Sequence, residues 1–287
     1  MRVFVTGASG YIGQATIRAL TAHGHTVAAL ARSDDAARTV AALGAEVVRG
    51  GLTDLDVLRD AAAGAGGVIH LAQHQGGDVA GVDLAAATAM QVGAGDRPYV
   101  HTGGVWVYGD TRGAVEEDAP LSPPSIVAWR LDNEKRVLAR ADRGGRPVLV
   151  MPGIVYGGGR GLIEDFFVKP ARDKGEVRYI GDGSKRWALV HVDDIADLYV
   201  RALGAESGTR YAGVGGEAPS VLEVAQAVSE AIGHPGKIAS ITLAQARDEM
   251  GPIADAFALD QRFTSARARA ELGWRPAPRD VLKALAG

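Results

Sequence analysis

The chain of 287 residues contains no cysteine, and only 6% of its residues are aromatic. Without thiols, disulfides, thiolate catalysis and cysteine-ligated metals are excluded. No run of about 20 apolar residues occurs, so we expect neither a membrane span nor a signal peptide. Basic residues (31) nearly balance acidic ones (34) and form no cluster, which argues against nucleic acid as a partner. These absences favour a cytoplasmic protein, present as a monomer or as a homodimer.

Short apolar runs alternate with alanine-rich stretches over the first 150 residues. Several runs are continuous, as is typical of parallel strands that are buried on both faces. The predicted strands are 2–6, 26–30, 46–49, 67–71, 99–102 and 147–151, and the predicted helices are 11–22, 35–42, 54–63, 79–92 and 127–142. This order predicts an α/β fold, a Rossmann-type doubly wound parallel sheet with right-handed crossovers.

The pattern changes after Pro152. Glycine-rich segments at 157–161 and 181–183 predict a break and a tight turn, and Asp193 is a suitable N-cap for a further helix. Short helices are predicted at 220–232, 243–250 and 264–272. We therefore expect a Rossmann domain formed by 1–155 with 187–204. A smaller, mainly helical C-terminal lobe that binds substrate would be formed by 156–186 with 205–287.

The segment TGASGYIG at 6–13 follows the first predicted strand and opens the first predicted helix. In such a loop one glycine permits the sharp turn, a second leaves room for a pyrophosphate, and a third lets the helix approach the sheet. The start of the helix then offers free N–H groups to the phosphates. The context of strand, loop and helix predicts a dinucleotide site. Its phosphate-binding residues would be Gly7, Ser9, Gly10, Tyr11, Ile12 and Gly13.

The end of the second strand indicates which dinucleotide binds. An acidic residue there would bind the ribose 2′-hydroxyl and repel a 2′-phosphate, but this chain has Arg32 and Ser33. Arg32 suits a charged, bidentate bond to phosphate, and Ser33 can add another bond. Asp34 and Asp35 follow closely, and their negative charge disfavours a bound 2′-phosphate. In the alternative interpretation, Arg32 is a surface arginine without a ligand. We expect NADP(H) to be preferred over NAD(H).

Motifs along nearly the whole chain carry a family resemblance. They are TGASGYIG at 6–13, VIHLA at 68–72, VWVYG at 105–109, PGIVYG at 152–157, GDGSKRW at 181–187, HVDDIADLY at 191–199 and LGWRP at 272–276. In this order they resemble the short-chain dehydrogenase/reductase superfamily, in its extended and atypical branch of NAD-dependent epimerase/dehydratase type. The resemblance implies an NAD(P)-dependent oxidoreductase. It implies further cofactor contacts from Leu52, Leu71, Ala72, Gln73, Thr102, Gly103, Asn133, Pro152, Gly153 and Ile154.

The catalytic pattern of that superfamily is altered. It combines a serine or threonine with a tyrosine and a lysine spaced YxxxK, whose ammonium lowers the phenol pKa for proton exchange with the substrate. No tyrosine of this chain is followed four residues later by lysine. Our alignment puts Trp129 in the tyrosine place and Asn133 in the lysine place. Gly104 takes the serine place, so that Thr102 is the nearest hydroxyl.

Several side chains are candidates to replace the missing pair or to bind substrate. His74 lies at the predicted carboxyl edge of the sheet, which faces the ligand crevice. A histidine there could exchange a proton near neutral pH. The alternative is that His74 is a solvated loop residue without a catalytic role. The ring of Trp129 would stack on the nicotinamide or line the substrate pocket. The alternative is that it packs in the hydrophobic core. The remaining candidates are Thr102, Tyr108 and Tyr156 for catalysis, and Arg160 and Arg186 for substrate. We expect His191, Asp193 and Asp194 to be structural, with no metal.

Three explanations of the altered pattern stay open: loss of catalysis, use of another acid, or a substrate such as an iminium that needs little proton help. The leading hypothesis is an NADPH-dependent reductase of a small molecule with a C=O, C=N or activated C=C bond. The alternatives are a sugar-nucleotide epimerase or dehydratase, which needs a base to oxidise an alcohol, and a catalytically silent NADP sensor.

Overall fold

The computed structural model describes residues 1–277 and 279–285. Its strands are β1 Arg2–Thr6, β2 Thr26–Ala31, β3 Glu46–Arg49, β4 Gly67–His70, β5 Pro98–Thr102, β6 Ala114–Val115, β7 Arg146–Pro152, β8 Ile154–Tyr156, β9 Val177–Ile180, β10 Leu189–His191, β11 Arg210–Gly213, β12 Ile238–Ile241 and β13 Arg262–Phe263. Its α-helices are α1 Tyr11–Ala22, α2 Asp34–Ala42, α3 Leu55–Ala63, α4 Val79–Ala94, α5 Ser125–Ala128, α6 Arg130–Leu138, α7 Lys169–Lys174, α8 Val192–Ala202, α9 Val221–Ala231, α10 Leu243–Met250, α11 Ala254–Phe257, α12 Ala266–Glu271 and α13 Val281–Leu285.

Seven strands form one parallel sheet, in the order β11, β7, β5, β4, β1, β2, β3. The chain order reverses between β1 and β4, which leaves a crevice at the carboxyl ends of these two strands. The predicted Rossmann-type doubly wound sheet is therefore confirmed. The reversal brings the loop after β1 against the loop after β4.

The sheet is covered on both faces because its strands carry apolar side chains in both directions. Val3 and Val5 of β1 face a core that includes α1 and α8, whereas Phe4 faces a core that includes α3 and α4. All three side chains are fully buried. Burial on both faces explains why the strands read as continuous apolar runs in the sequence.

A second core lies in the C-terminal part of the chain, around Phe257. The rings of Phe167 and Trp187 lie 5.0 and 5.5 Å from the ring of Phe257. Two-stranded parallel pairs, β12 with β9 and β10 with β8, contribute side chains to this core. The predicted smaller lobe thus has its own apolar centre, and it also contains strands.

Three details differ from the sequence predictions. The segment 210–213, assigned to the lobe, forms β11 at the edge of the central sheet, because Tyr211 and Ala212 are fully buried beside β7. Helix α8 is capped by His191, whose ring accepts a bond from the Asp193 N–H, so Asp193 is not the N-cap. The predicted helix 127–142 is divided at Trp129 into α5 and α6, followed by a 3-10 turn.

In the part of the chain that the structure describes, no helix combines the length and the apolar composition needed to cross a bilayer.

Candidate functional site

The loop after β1 is shaped for close approach of backbone to a ligand. Gly7 has φ +69°, and a Cβ on it would lie 2.7 Å from the Ala72 nitrogen. A Cβ on Gly13 would lie 2.1 Å from the Gly7 oxygen. Gly10 caps α1 without any side-chain bond, so the N–H groups of its first turn stay available to a ligand. This cradle fits the pyrophosphate of a dinucleotide.

The other loop residues predicted to bind phosphate lie at the mouth of the same cradle. Ser9 is half-buried, and its carbonyl accepts a bond from the Gln14 side chain at 2.8 Å. Ile12 packs against the core beneath α1. The Tyr11 hydroxyl donates a 2.6 Å hydrogen bond to the carbonyl of Gly157. The phosphate loop is therefore joined to the glycine-rich segment 157–161.

The end of β2 presents an unpaired cation. Arg32 is exposed, and within residues 1–277 and 279–285 it has neither a hydrogen-bond partner nor an ion-pair partner. The two neighbouring acids are paired elsewhere, Asp34 with Arg49 and Asp35 with Arg38. The predicted competition from these acids is therefore weakened, and the Arg32 guanidinium faces solvent beside the crevice.

Two further residues complete this end of the crevice. The Ser33 hydroxyl accepts a 3.2 Å bond from the Ala36 N–H as the N-cap of α2, and its own proton stays available. Leu52 packs against the core that contains Leu30. A Cβ on Gly51 would lie 3.7 Å from the Arg32 side chain, so Arg32 and Leu52 flank one surface.

Segment 71–73 lies at the centre of the crevice, supported by a buried polar network. The Thr6 hydroxyl accepts a bond from the Ala72 N–H and lies 2.6 Å from Nδ1 of His70. Nε2 of His70 lies 3.5 Å from Asp83, which also accepts a bond from Asn133. Leu71 is half-buried against the core. These contacts fix the backbone that the family resemblance assigns to cofactor binding.

The end of β7 forms a further side of the crevice. A Cβ on Gly153 would lie 2.4 Å from the Ala188 oxygen, so the chain must be glycine there. Pro152 and Ile154 on either side are buried. Gly104, at the end of β5, has open space where a Cβ would be. A side chain in the place of the usual serine would therefore meet no neighbouring atom.

The side chain of α6 that reaches the crevice is Arg130. Its guanidinium donates a 3.1 Å bond to the carbonyl of Thr102 and a 2.8 Å bond to Oε1 of Gln73. It also lies over the ring of Trp129, 4.5 Å from the centroid. Burial lowers the pKa of this guanidinium, yet an arginine stays charged in a protein. A fixed positive charge thus lies between the ends of β4 and β5.

Asn133 is turned away from the crevice, contrary to the prediction that it contacts the cofactor. Its amide donates to the carbonyl of Ala80 and to Asp83, both on α4. Since both amide protons are used there, Asn133 has no donor left for the crevice. The place facing the crevice belongs to Arg130, and the place one turn earlier on that face belongs to Ile126.

Glu134 lies one turn after Arg130 but does not pair with it. It is 6% exposed, and its Oε1 has no hydrogen-bond partner within residues 1–277 and 279–285. A Cβ on Gly103 would lie 2.7 Å from this oxygen. Burial raises the pKa of Glu134 to about 7, against the lowering effect of Arg130 and Arg210. Arg130 instead bonds to Thr102 and Gln73.

The candidate proton donors have structural partners or lie apart from Arg130. The Thr102 hydroxyl donates to the His70 carbonyl and accepts from the Tyr199 hydroxyl. The Tyr108 hydroxyl donates to the carbonyl of Glu117 at 2.8 Å, and burial raises its pKa to about 12. These bonds give Thr102 and Tyr108 roles in the fold and leave their predicted catalytic roles without support.

The last two candidates differ in their surroundings. Tyr156 is buried against His191, with ring centroids 5.3 Å apart, and burial raises its pKa to about 12. His74 is half-exposed in the loop after β4, next to Gln73, which Arg130 holds. His74 therefore remains a candidate by its position.

The two arginines predicted to bind substrate lie in different places. Arg186 donates a 2.7 Å bond to the Ala218 carbonyl and lies 3.9 Å from Glu223, inside the lobe. Arg160 lies over the ring of Tyr11, 5.6 Å from its centroid. Only Trp129 of the predicted substrate residues lies beside Arg130. Among the described residues, no group of three His, Asp or Glu side chains is arranged to hold a metal.

Two features of this site were not predicted from the sequence. Arg130 was not among the candidates, although its spacing of four from Ile126 and Glu134 puts all three on one face. The network of His70, His101 and Asp83 was also missed. An aspartate inside an otherwise apolar helix, and a histidine at the paired positions of β4 and β5, were its available signals.

Comparison with known proteins places the chain in a wider context. Residues 3–212 match the model of the NAD dependent epimerase/dehydratase family. The Uncharacterized protein YLL056C of Saccharomyces cerevisiae is 32% identical, over 96% of this chain and 95% of its own length. NAD(P)H azoreductase of Xenophilus azovorans is 30% identical, over 86% of this chain and 80% of its own length. For 2-alkyl-3-oxoalkanoate reductase of Stenotrophomonas maltophilia the values are 27%, 82% and 77%.

Among solved structures, UDP-glucuronic acid 4-epimerase from Bacillus cereus, in complex with UDP-glucuronic acid and NAD, has a TM-score of 0.82. It is 19% identical and covers 100% of this chain and 98% of its own. This likeness shows the fold.

Proposed function

Because the chain belongs to the NAD-dependent epimerase/dehydratase family, we propose that it is an NADPH-dependent reductase of a small organic molecule. The acceptor would carry a C=O, C=N or activated C=C bond. The observation that carries the proposal is the crevice itself. It joins a dinucleotide cradle to a fixed guanidinium, that of Arg130, with no tyrosine one turn earlier on the helix.

The dinucleotide would be held along the three loops that the fold brings together. Its pyrophosphate would lie on the start of α1, and its nicotinamide half beside segments 71–73 and 152–154. When bound, this cofactor supplies the hydride. The protein binds and orients the cofactor. At Gly7 and Gly13 the cradle has no room for a Cβ, so only backbone lines it there.

The preference for NADPH rests on Arg32 and Ser33. The Arg32 side chain is exposed at the end of β2, with its neighbouring acids paired to Arg49 and Arg38. A guanidinium binds a phosphate through two parallel bonds. An unpaired arginine at this position therefore favours the cofactor that carries a 2′-phosphate.

Arg130 would act on the acceptor by its charge. It cannot give up a proton near neutral pH, so it is not a general acid. Its positive charge can stabilise negative charge that develops on an acceptor oxygen. This favours neutral acceptors that form an oxyanion, such as ketones or enones, over an iminium, which the same charge would repel. The proton would then come from water or from the acceptor itself.

The space at Gly104 and the ring of Trp129 would shape the acceptor pocket. An extended backbone at Gly104 tolerates a side chain, and nothing lies within 4 Å of a Cβ there. Trp129 is held beside Arg130. The reductase names of the Stenotrophomonas and Xenophilus relatives support reduction as the reaction class.

The test is turnover of NADPH with matched panels of ketones, imines and enones. We expect oxidation of NADPH with ketones or enones, and less with imines that are protonated at the assay pH. If no class is reduced despite tight NADPH binding, the proposal is wrong. Calorimetric binding of nucleoside-diphosphate sugars in that case would indicate an epimerase or dehydratase instead.

A further inference from the structure

A glycine-rich loop, 157–161, lies directly on the first residue of α1. The Tyr11 hydroxyl donates to the Gly157 carbonyl at 2.6 Å. At Gly161, which has φ +97°, a Cβ would lie 2.8 Å from the Tyr11 ring. The loop and the phosphate cradle are thus packed against each other through one tyrosine, and this contact requires a residue without a side chain at 161.

Arg160 is the cation of this loop. Its Cζ lies 5.6 Å from the centroid of the Tyr11 ring, close enough for a cation–π contact. The side chain is exposed, and within residues 1–277 and 279–285 it has no ion-pair or hydrogen-bond partner. Arg160 therefore stands beside the start of α1 with its five N–H donors available.

An acid also lies near this tyrosine, but its charge is shared with other groups. Burial raises the pKa of Tyr11 most, Asp193 raises it further, and Arg160 lowers it. Asp193 lies 3.5 Å from His191 and 3.8 Å from Arg279. The charge of Arg160 is therefore not cancelled by a bonded carboxylate.

We propose that Arg160 binds the pyrophosphate of the dinucleotide and so joins loop 157–161 to the phosphate cradle of α1. Tyr11 begins the helix on which that pyrophosphate would rest, and Arg160 lies over its ring. A guanidinium offers two parallel bonds to phosphate oxygens. This inference changes the predicted role of Arg160 from substrate to cofactor. It rests on dinucleotide binding alone and not on the acceptor that is reduced.

The experiment measures binding of ADP-ribose, NADH and NADPH to the full chain by calorimetry. We expect Arg160→Ala to weaken all three by about 10-fold or more and by similar factors. Arg160→Lys should recover part of the loss, and Tyr11→Phe should weaken the same three ligands to a smaller extent. Arg172→Ala is the matched control, because Arg172 is exposed and pairs with Glu164 at 3.0 Å. It should leave all three affinities unchanged.

Three results would overturn the inference. ADP-ribose affinity within twofold of the unaltered protein would show that Arg160 does not touch the pyrophosphate. A loss for NADPH alone would assign it to the 2′-phosphate. A raised KM for an acceptor, with unchanged dinucleotide affinity, would return it to the substrate. Because ADP-ribose binding needs no turnover, a failure of the proposed reductase activity leaves this test intact.

Discussion

At the scale of single residues, the cofactor preference depends on Arg32. We predict that Arg32→Ala weakens NADPH by about one to two decades more than NADH, since one charged bond to phosphate is worth about 1.5–3 kcal/mol. Arg59→Ala is the control, because Arg59 is exposed on α3 and pairs with Asp56 at 2.8 Å. Dissociation constants for both cofactors give the answer. Equal losses for NADH and NADPH would show that Arg32 does not bind the 2′-phosphate.

The second residue that decides the account is Arg130. We predict that Arg130→Met lowers kcat/KM for a ketone or enone by about 10²–10³-fold, because a fixed positive charge near the developing oxyanion is lost. Arg130→Lys should retain part of the rate. Arg136→Met on the same helix is the control, since Arg136 is exposed and pairs with Asp132 at 2.9 Å. An unchanged kcat/KM for Arg130→Met would remove Arg130 from the mechanism.

At the scale of elements, local chemistry made the strands and the phosphate loop predictable. Strand β1 and helix α1 have the predicted bounds, because continuous apolar strands and a glycine-rich turn need no distant partner to be recognised. The face that α6 presents was not predictable in the same way. It depends on the hydrogen bond from Asn133 to Asp83 of α4, which lies fifty residues away in the chain. With Asn133 bonded to α4, Arg130 lies on the side of α6 that faces the crevice.

The register of α6 yields a prediction with two matched pairs of substitutions. Ile126→Tyr with Arg130→Lys should place a phenol and an ammonium on the crevice face, and could raise ketone reduction by up to about 10²–10⁴-fold. Trp129→Tyr with Asn133→Lys follows the sequence alignment. It should bring no gain and should lower the melting temperature, because the bonds of Asn133 to α4 are lost. A rate gain in the second pair alone would contradict the structure's register.

At the scale of the whole molecule, buried titratable groups beneath the crevice set the acid stability. Burial lowers the pKa of His101 to about 3, and hydrogen bonding and the nearby histidines lower that of Asp83 to about 2 despite its burial. Between about pH 6.5 and 3, His101 binds a proton in the unfolded chain but not in the folded chain. The free energy of unfolding therefore falls as the pH is lowered through this range. Loss of the Asp83 contribution follows below about pH 4.

We therefore predict that His101→Gln flattens the fall in unfolding free energy between pH 6.5 and 4. One proton contributes up to about 1.4 kcal/mol per pH unit. His234→Gln, at an exposed histidine, should leave the slope as it is. Denaturant unfolding across this range measures both variants. The same slope in His101→Gln and in the unaltered protein would show that His101 does not control it.

The central claim is that this crevice transfers a hydride from NADPH to a small acceptor. The most direct measurement uses NADPH carrying deuterium on one face of its C4 atom, with the ketone, imine and enone panels, and mass spectrometry of the products. We predict one deuterium in the reduced product from one face of the cofactor and none from the other. Products without deuterium from either face, while NADPH is bound tightly, would contradict the account.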